Sequence, residues 1–167
     1  MTIADALPWV EPLHPPFDAA DWFVHLASRP HALFLDSAQS HPTLGRYSFL
    51  AADPFEFFTA TPDEPGELDR VADRLNRYRV ATVPGLPPFQ GGAAGLWSYD
   101  LGRQFERLPT PAFDEFDAPA LAIGLYDVVL AIDHGKNLGW LISQGFPETE
   151  PSARRRRARL RADEVRQ

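Results

Sequence analysis

The sequence predicts an α+β fold, with antiparallel β-sheet packed by a few helices. Three observations carry that prediction. Short β-rich runs outnumber helical ones, among them "HALFLDSA", "FEFFTA", "GGAAGLWSY" and "LGWLISQ". Proline makes up 17 of 167 residues, about twice the usual ~5% share, which interrupts the chain too often for a simple helical bundle. The long apolar run "ALAIGLYDVVLAIDH" is followed by "GKN" and then "LGWLISQ", so 120–143 reads as a β-hairpin.

The elements follow in order. Residues 1–16 are proline-rich and extended. "FDAADWFVHLAS" is a short helix, with Asp18 as N-cap and Ala19, Trp22, Phe23 and Leu26 on one face. A buried strand runs from His31 to about Asp36, and two more strands cover 46–52 and 55–60, divided by an Asp53-Pro54 turn. "GELDRVADRLNRYR" is the clearest amphipathic helix, with Leu68, Val71, Leu75 and Tyr78 at helical spacing. "GGAAGLWSY" suits a strand in close backbone contact with its neighbour. "DLGRQFERL" reads as a helix with Leu101, Phe105 and Leu108 on one side. After the hairpin, Pro147 and Pro151 end the globular pattern, and Ser152 is placed to cap an arginine-rich helix with no core-sized face. The chain thus divides into an extended segment (1–16), a globular domain (17–146) and a basic linker or helical tail (147–167).

Composition narrows the chemistry. There is no cysteine, so disulfides, thiolate metal sites and cysteine nucleophiles are excluded. The formal net charge is −7. From Arg154 onward, seven arginines against Asp163 and Glu164 give the tail +5, which leaves −12 on residues 1–153. An acidic body is not steered onto nucleic acid, and the basic tail lacks the interleaved aromatics of a single-strand binder. No run approaches the ~18 apolar residues of a membrane span, and the first residues lack a signal-peptide pattern. The expectation is a cytoplasmic protein without nucleic-acid or membrane partners.

Motifs for catalysis are weak. Gly91, Gly92 and Gly95 fit neither a Walker loop, which needs Gly-Lys-Ser/Thr, nor a dinucleotide fingerprint. His14, His25, His31, His41 and His134 form no zinc-binding pair. Ser37 lies near His41 without a nucleophile-elbow pattern. Asp114 and Glu115 lie in a proline-flanked acidic loop and read as solvated surface. From the residues alone, the chain is an α+β domain with no convincing active site.

A resemblance adds what the residues do not. "LPPFQGGAAGLWSYDLGRQFERLP" resembles a hallmark segment of aminodeoxychorismate synthase component I, in the anthranilate synthase component I family. "LFLDSA" is similar to that family's Leu-Glu-Ser strand, "GRYSFLAADPF" to its Arg-Tyr-Ser continuation, and "ALAIGLYDVVLAIDH" to a later strand ending in Asp-His. The four segments follow in family order across roughly residues 17–146. The resemblance implies the N-terminal part of the chorismate-utilising two-sheet fold. It implies a role in making 4-amino-4-deoxychorismate from chorismate and ammonia, on the folate and 4-aminobenzoate branch. The alternatives are the tryptophan branch of anthranilate synthases, or a stand-alone module that binds an aromatic amino acid.

The same resemblance places chorismate, magnesium and the catalytic groups in a C-terminal half. Signatures of that half, of the "PIKGT" and "GSITGAPK" type, do not occur in this sequence. No catalytic or metal-binding residue is therefore assigned, no cofactor is expected in this chain, and the chain alone is expected to be inactive. The implied partners are a separately encoded C-terminal half and a glutamine amidotransferase subunit. The family's Leu-Glu-Ser strand helps to form a tryptophan pocket, and the matching residues are Leu35, Asp36 and Ser37, with aspartate in place of glutamate. Tryptophan is thus the implied ligand of Asp36 and Ser37. Sheet edges that would meet the C-terminal half are expected to favour self-association.

Overall fold

A computed structural model describes residues 7–15, 18–37, 39, 41, 44–109, 113, 116 and 118–166. Its elements run β1 (Trp9–Leu13), α1 (Ala19–Leu26), β2 (Leu33–Leu35), β3 (Tyr47–Ala51), β4 (Glu56–Ala60), α2 (Glu67–Arg77) and β5 (Gly92–Trp97). A 3-10 helix (Tyr99–Gln104), β6 (Leu121–Tyr126), β7 (Val128–Asp133), β8 (Leu138–Ser143) and α3 (Pro151–Arg166) complete the order. The strands form a five-stranded sheet, β1-β8-β7-β3-β2, and a three-stranded sheet, β4-β6-β5, with every pair antiparallel. The α+β expectation holds. Asp114 and Glu115 lie outside the described residues.

The large sheet is covered on one face by α1 and α3, where Leu26, Leu50, Leu130, Ile132, Leu141 and Ala162 form the core. On its other face Val129, Ala131 and Ile142 pack with Phe49, Phe89 and Trp140. β7 is therefore buried along its whole length. The small sheet packs Phe58, Leu121, Ile123 and Leu125 against Val71 of α2 and Leu101 of the 3-10 helix. α1 forms where the sequence places it. Asp18 Oδ1 accepts from the Ala20 and Asp21 amides at 2.9 and 3.2 Å, and Ala19 and Leu26 face the core.

Several boundaries differ from the sequence expectation, each for a physical reason. Part of the extended N-terminal segment is a true strand, β1, and its Pro12 is accommodated because β1 lies at a sheet edge. β2 is a three-residue edge strand, half-buried at most, because His31 turns the chain at a φ of 49° before it. β3 and β4 join different sheets, and Asp53, at a φ of 53°, turns the chain between them. The long run at 120–133 is not one strand. β6 belongs to the small sheet and β7 to the large one, so only β7 and β8 form a hairpin, from Val128↔Ser143 to Asp133↔Leu138. A continuous apolar run carries no mark of that switch, because both halves are buried.

The segment after β5 is a 3-10 helix of six residues, shorter than expected. Leu101 is buried, but Phe105 is 76% exposed rather than on the same face. Arg103 anchors the turn that follows. Its guanidinium donates to Asp100 and to the carbonyls of Leu108 and Pro109 at 2.8, 3.0 and 3.0 Å.

The arginine-rich C-terminal helix does find a core face. Ala158 and Ala162 are fully buried, Ala162 in the core of the large sheet and Ala158 beside Gly145, because small side chains let the helix approach closely. Its cap is Glu150 instead of Ser152. The Glu150 carboxylate accepts from the Ser152 and Ala153 amides at 3.0 and 2.8 Å, and Pro151 opens the helix. The arginines dock the helix. Arg161 reaches Asp53 Oδ2 and the Asp53 carbonyl at 2.7 and 2.8 Å, Arg166 grips Glu11 at 2.6 and 2.8 Å, and Arg157 donates to the Phe146 carbonyl at 2.7 Å.

Candidate functional site

Three of the four segments that carry the family resemblance meet at one end of the large sheet. β2, β3 and β7 are neighbours there, so Asp36 and Ser37, Arg46 to Ser48, and Asp133 and His134 come together. The Arg46 guanidinium holds Asp133 in a two-point pair, Nε to Oδ1 at 2.9 Å and Nη2 to Oδ2 at 2.6 Å. The Lys136 amide also donates to Asp133 Oδ1 at 3.2 Å. The hydrogen bonds from Arg46 hold the Asp133 carboxyl below the usual carboxylate range, and Asp133 in turn raises Arg46.

Ser48 lies fully buried beside this pair. Its hydroxyl is 2.6 Å from Asp36 Oδ1 and 2.6 Å from His134 Nε2. A hydroxyl has one proton to give. With that proton on Asp36, His134 must donate from Nε2 to Ser48 Oγ. The arrangement fixes the imidazole tautomer and ties the end of β2 to β3 and β7. Ser37 Oγ donates to the Tyr47 carbonyl at 3.1 Å. Ser37 also lines a cavity of about 190 Å³ with Gln39, His41, Leu44 and Gly45.

Chemically these bonds position the ends of β2, β3 and β7 and offer no activated nucleophile. Ser48 is buried and its proton is directed at a carboxylate, while Asp36 and His134 both bond to Ser48 and not to each other. A nucleophilic triad needs the histidine between the other two groups. Among the described residues no cluster of three or more His, Asp or Glu could hold a metal ion. No helix of the described residues is long and apolar enough to cross a membrane.

The structure places both sequence-proposed ligand residues at this site, with Asp36 bonded to Ser48 and Ser37 to the β3 backbone. Sequence reasoning about sites missed Arg46, Ser48, Asp133 and His134. Their signal lies in "GRYSF" and "AIDH", which mark strands and family segments without assigning a site role to any residue. The glycine-rich segment lies apart, on β5 of the small sheet. A Cβ at Gly95 would come within 2.1 Å of the Ala122 carbonyl oxygen, so close backbone approach is the reason for that glycine.

Comparisons with known proteins fit this architecture. No protein-family model matches the chain. Aminodeoxychorismate synthase component 1 of Salmonella typhimurium is 35% identical over 152 residues, covering 82% of this chain and 32% of that protein. The Escherichia coli protein of the same name is 36% identical, covering 75% of this chain and 31% of its own. Anthranilate synthase component 1 of Synechocystis is 31% identical, covering 81% and 29%. The structure of anthranilate synthase component I from Streptococcus pneumoniae superposes with a TM-score of 0.55 at 21% identity, covering 82% of this chain and 32% of that one, and so shares the fold. The chain spans about a third of the length of the curated relatives it matches. Over that stretch it belongs to the family of aminodeoxychorismate and anthranilate synthase component 1 proteins.

Proposed function

We propose that the chain is the N-terminal, non-catalytic part of an aminodeoxychorismate synthase component 1-like protein. Such a protein would work in the cytoplasm and make 4-amino-4-deoxychorismate from chorismate and ammonia, for 4-aminobenzoate and folate. The observation that carries this reading is the match of about four fifths of this chain to about a third of each relative. The remaining two thirds would supply the chorismate and magnesium sites, and a glutamine amidotransferase would supply ammonia. Identities of 35% and 36% to the aminodeoxychorismate relatives, against 31% to the Synechocystis anthranilate protein, favour the folate branch. Within this reading Asp36 and Ser37 form this chain's part of a tryptophan-type pocket. The small cavity at Ser37 and the bonding that fixes the end of β2 support that role.

Two measurements test the reading. Incubated with chorismate, ammonia and magnesium, the chain alone is expected to form no aminated product, and turnover would contradict its non-catalytic role. Calorimetric titration with L-tryptophan tests the pocket. Heat that is lost in Ser37→Ala supports it, and equal heat in both proteins removes Ser37 from the site.

A further inference from the structure

A second cavity, of about 310 Å³, opens where the C-terminal end of α2 faces the start of β5. None of the Asp36–Ser37 cluster lines it, and it borders the docked α3 only through Gln144 and Phe146. The rings of Phe55, Tyr78 and Phe146 wall it, with Leu125 behind them. The three rings pack on one another, Phe55 edge-on to Tyr78 at 5.1 Å and Tyr78 tilted against Phe146 at 5.1 Å. This aromatic wall is fixed before any ligand arrives. The glycine-rich segment supplies the opposite side. Gly92 has a φ of 124°, and a Cβ there would meet nothing within 4 Å, so the missing side chain leaves the space open.

The polar groups around the cavity sort by whether they are already used. Gln144 is used twice, donating to the Gln90 carbonyl at 2.8 Å and accepting from Arg154 at 3.1 Å. Glu56, beside the Tyr78 hydroxyl at 3.5 Å, is paired with Arg74 at 3.0 Å. Among the described residues no carboxylate lines the cavity, and the one charged lining residue is Arg79. Arg79 is exposed and has no ion pair among the described residues. Arg154 sits over the Phe146 ring at 4.2 Å and adds a second positive charge behind the wall. A positive, carboxylate-free cavity in a chain of net charge −7 selects an anion, and its walls select a flat ring. Its volume is at the small end of ligand sites.

We propose that this cavity binds a small aromatic carboxylate, with its ring against Phe55, Tyr78 and Phe146 and its carboxylate on the Arg79 guanidinium. Benzoate and its uncharged analogue benzyl alcohol are the probes, titrated by saturation-transfer NMR against the 167-residue chain. Both are expected to bind, benzoate more tightly. Arg79→Gln is expected to weaken benzoate about tenfold, as loss of one charge-assisted hydrogen bond does, and to leave benzyl alcohol unchanged. Leu75→Trp, at the 38%-exposed mouth position, is expected to abolish both. Arg79 is exposed, so its substitution leaves the fold intact and keeps the test decisive even if Leu75→Trp is poorly folded. Absence of saturation transfer to benzoate, an equal benzoate Kd in wild type and Arg79→Gln, or weakening of benzoate by Ser37→Ala would each overturn the proposal.

Discussion

At the scale of single residues, the account rests on positions where one atom decides the outcome. Gly95 is one. A methyl group there would overlap the Ala122 carbonyl, and the φ of 147° disfavours any other residue. Gly95→Ala is expected to destabilise the chain by roughly 2 kcal/mol or more in urea denaturation. Asp133 is another, at 3% exposure. Removing it deletes the buried end of a charge-assisted pair and leaves Arg46 and the Lys136 amide without their acceptor, so Asp133→Ala is expected to cost about 2 kcal/mol at pH 7. The pH dependence has a definite sign. Arg46 holds the Asp133 carboxyl below its unfolded value, so this stabilisation is present above the unfolded pKa of ~3.9 and lost as pH falls through the lower folded one. The wild-type and Asp133→Ala stabilities should therefore converge in strong acid. A constant gap across that range would show that the pair is not the source.

At the scale of elements, legibility in the sequence followed locality. α1 was readable with its cap because Asp18 and the amides it serves are neighbours in the chain. α3 was misjudged because its docking partners, Asp53 and Asp127, lie about a hundred and about thirty residues away, and alanines make its buried face. Asp127 shows the cost of that docking. It is fully buried at the switch between β6 and β7, 3.5 Å from Arg161 Nε and 3.9 Å from Arg157 Nε, without a hydrogen bond to its carboxylate among the described residues. Burial pushes its carboxyl up, and the charges of Arg161 and Arg157 oppose that shift. Arg161→Leu is expected to destabilise the chain by about 3 kcal/mol, because it leaves the buried carboxylate with only the more distant Arg157. The double change with Asp127→Leu should recover much of that loss. A double variant as unstable as the sum of the two single ones would contradict the pairing.

The helix start makes a separate prediction. The bonds from Ser152 and from the Ser152 and Ala153 amides hold the Glu150 carboxyl down at about 2. The cap is therefore complete above the unfolded glutamate pKa of ~4.3 and fails as pH falls through about 2. Glu150→Ala should fray the first turn of α3 at neutral pH, seen as faster amide exchange at Ser152 and Ala153. Unchanged exchange would assign the capping elsewhere. The candidate site was half legible for a related reason. Asp36 and Ser37 were marked by their motif, but the order β7-β3-β2 is a non-local fact that no local pattern reports. Arg46, Ser48 and His134 could be recognised only once that order was known.

At the scale of the whole molecule, the fold has unpaired sheet borders. Among the described residues β5 pairs only with β6, and β2 only with β3. Beside the β5 border, Leu96 and Trp97 are nearly half exposed, and Tyr99 is 84% exposed. An open apolar border is a template for pairing with another chain. Sedimentation should show concentration-dependent self-association, and Leu96→Lys should suppress it. A monodisperse monomer with little binding of an apolar-surface dye would contradict that expectation. The two thirds of the relatives that this chain does not match are expected to cover such borders. The most direct measurement is therefore reconstitution. The chain is mixed with the separately produced remaining two thirds of the Salmonella typhimurium relative, and ammonia-dependent amination of chorismate is followed with magnesium present. The account predicts a one-to-one complex with activity that neither piece shows alone. Turnover by this chain by itself, or neither complex nor activity at micromolar concentrations, would contradict it.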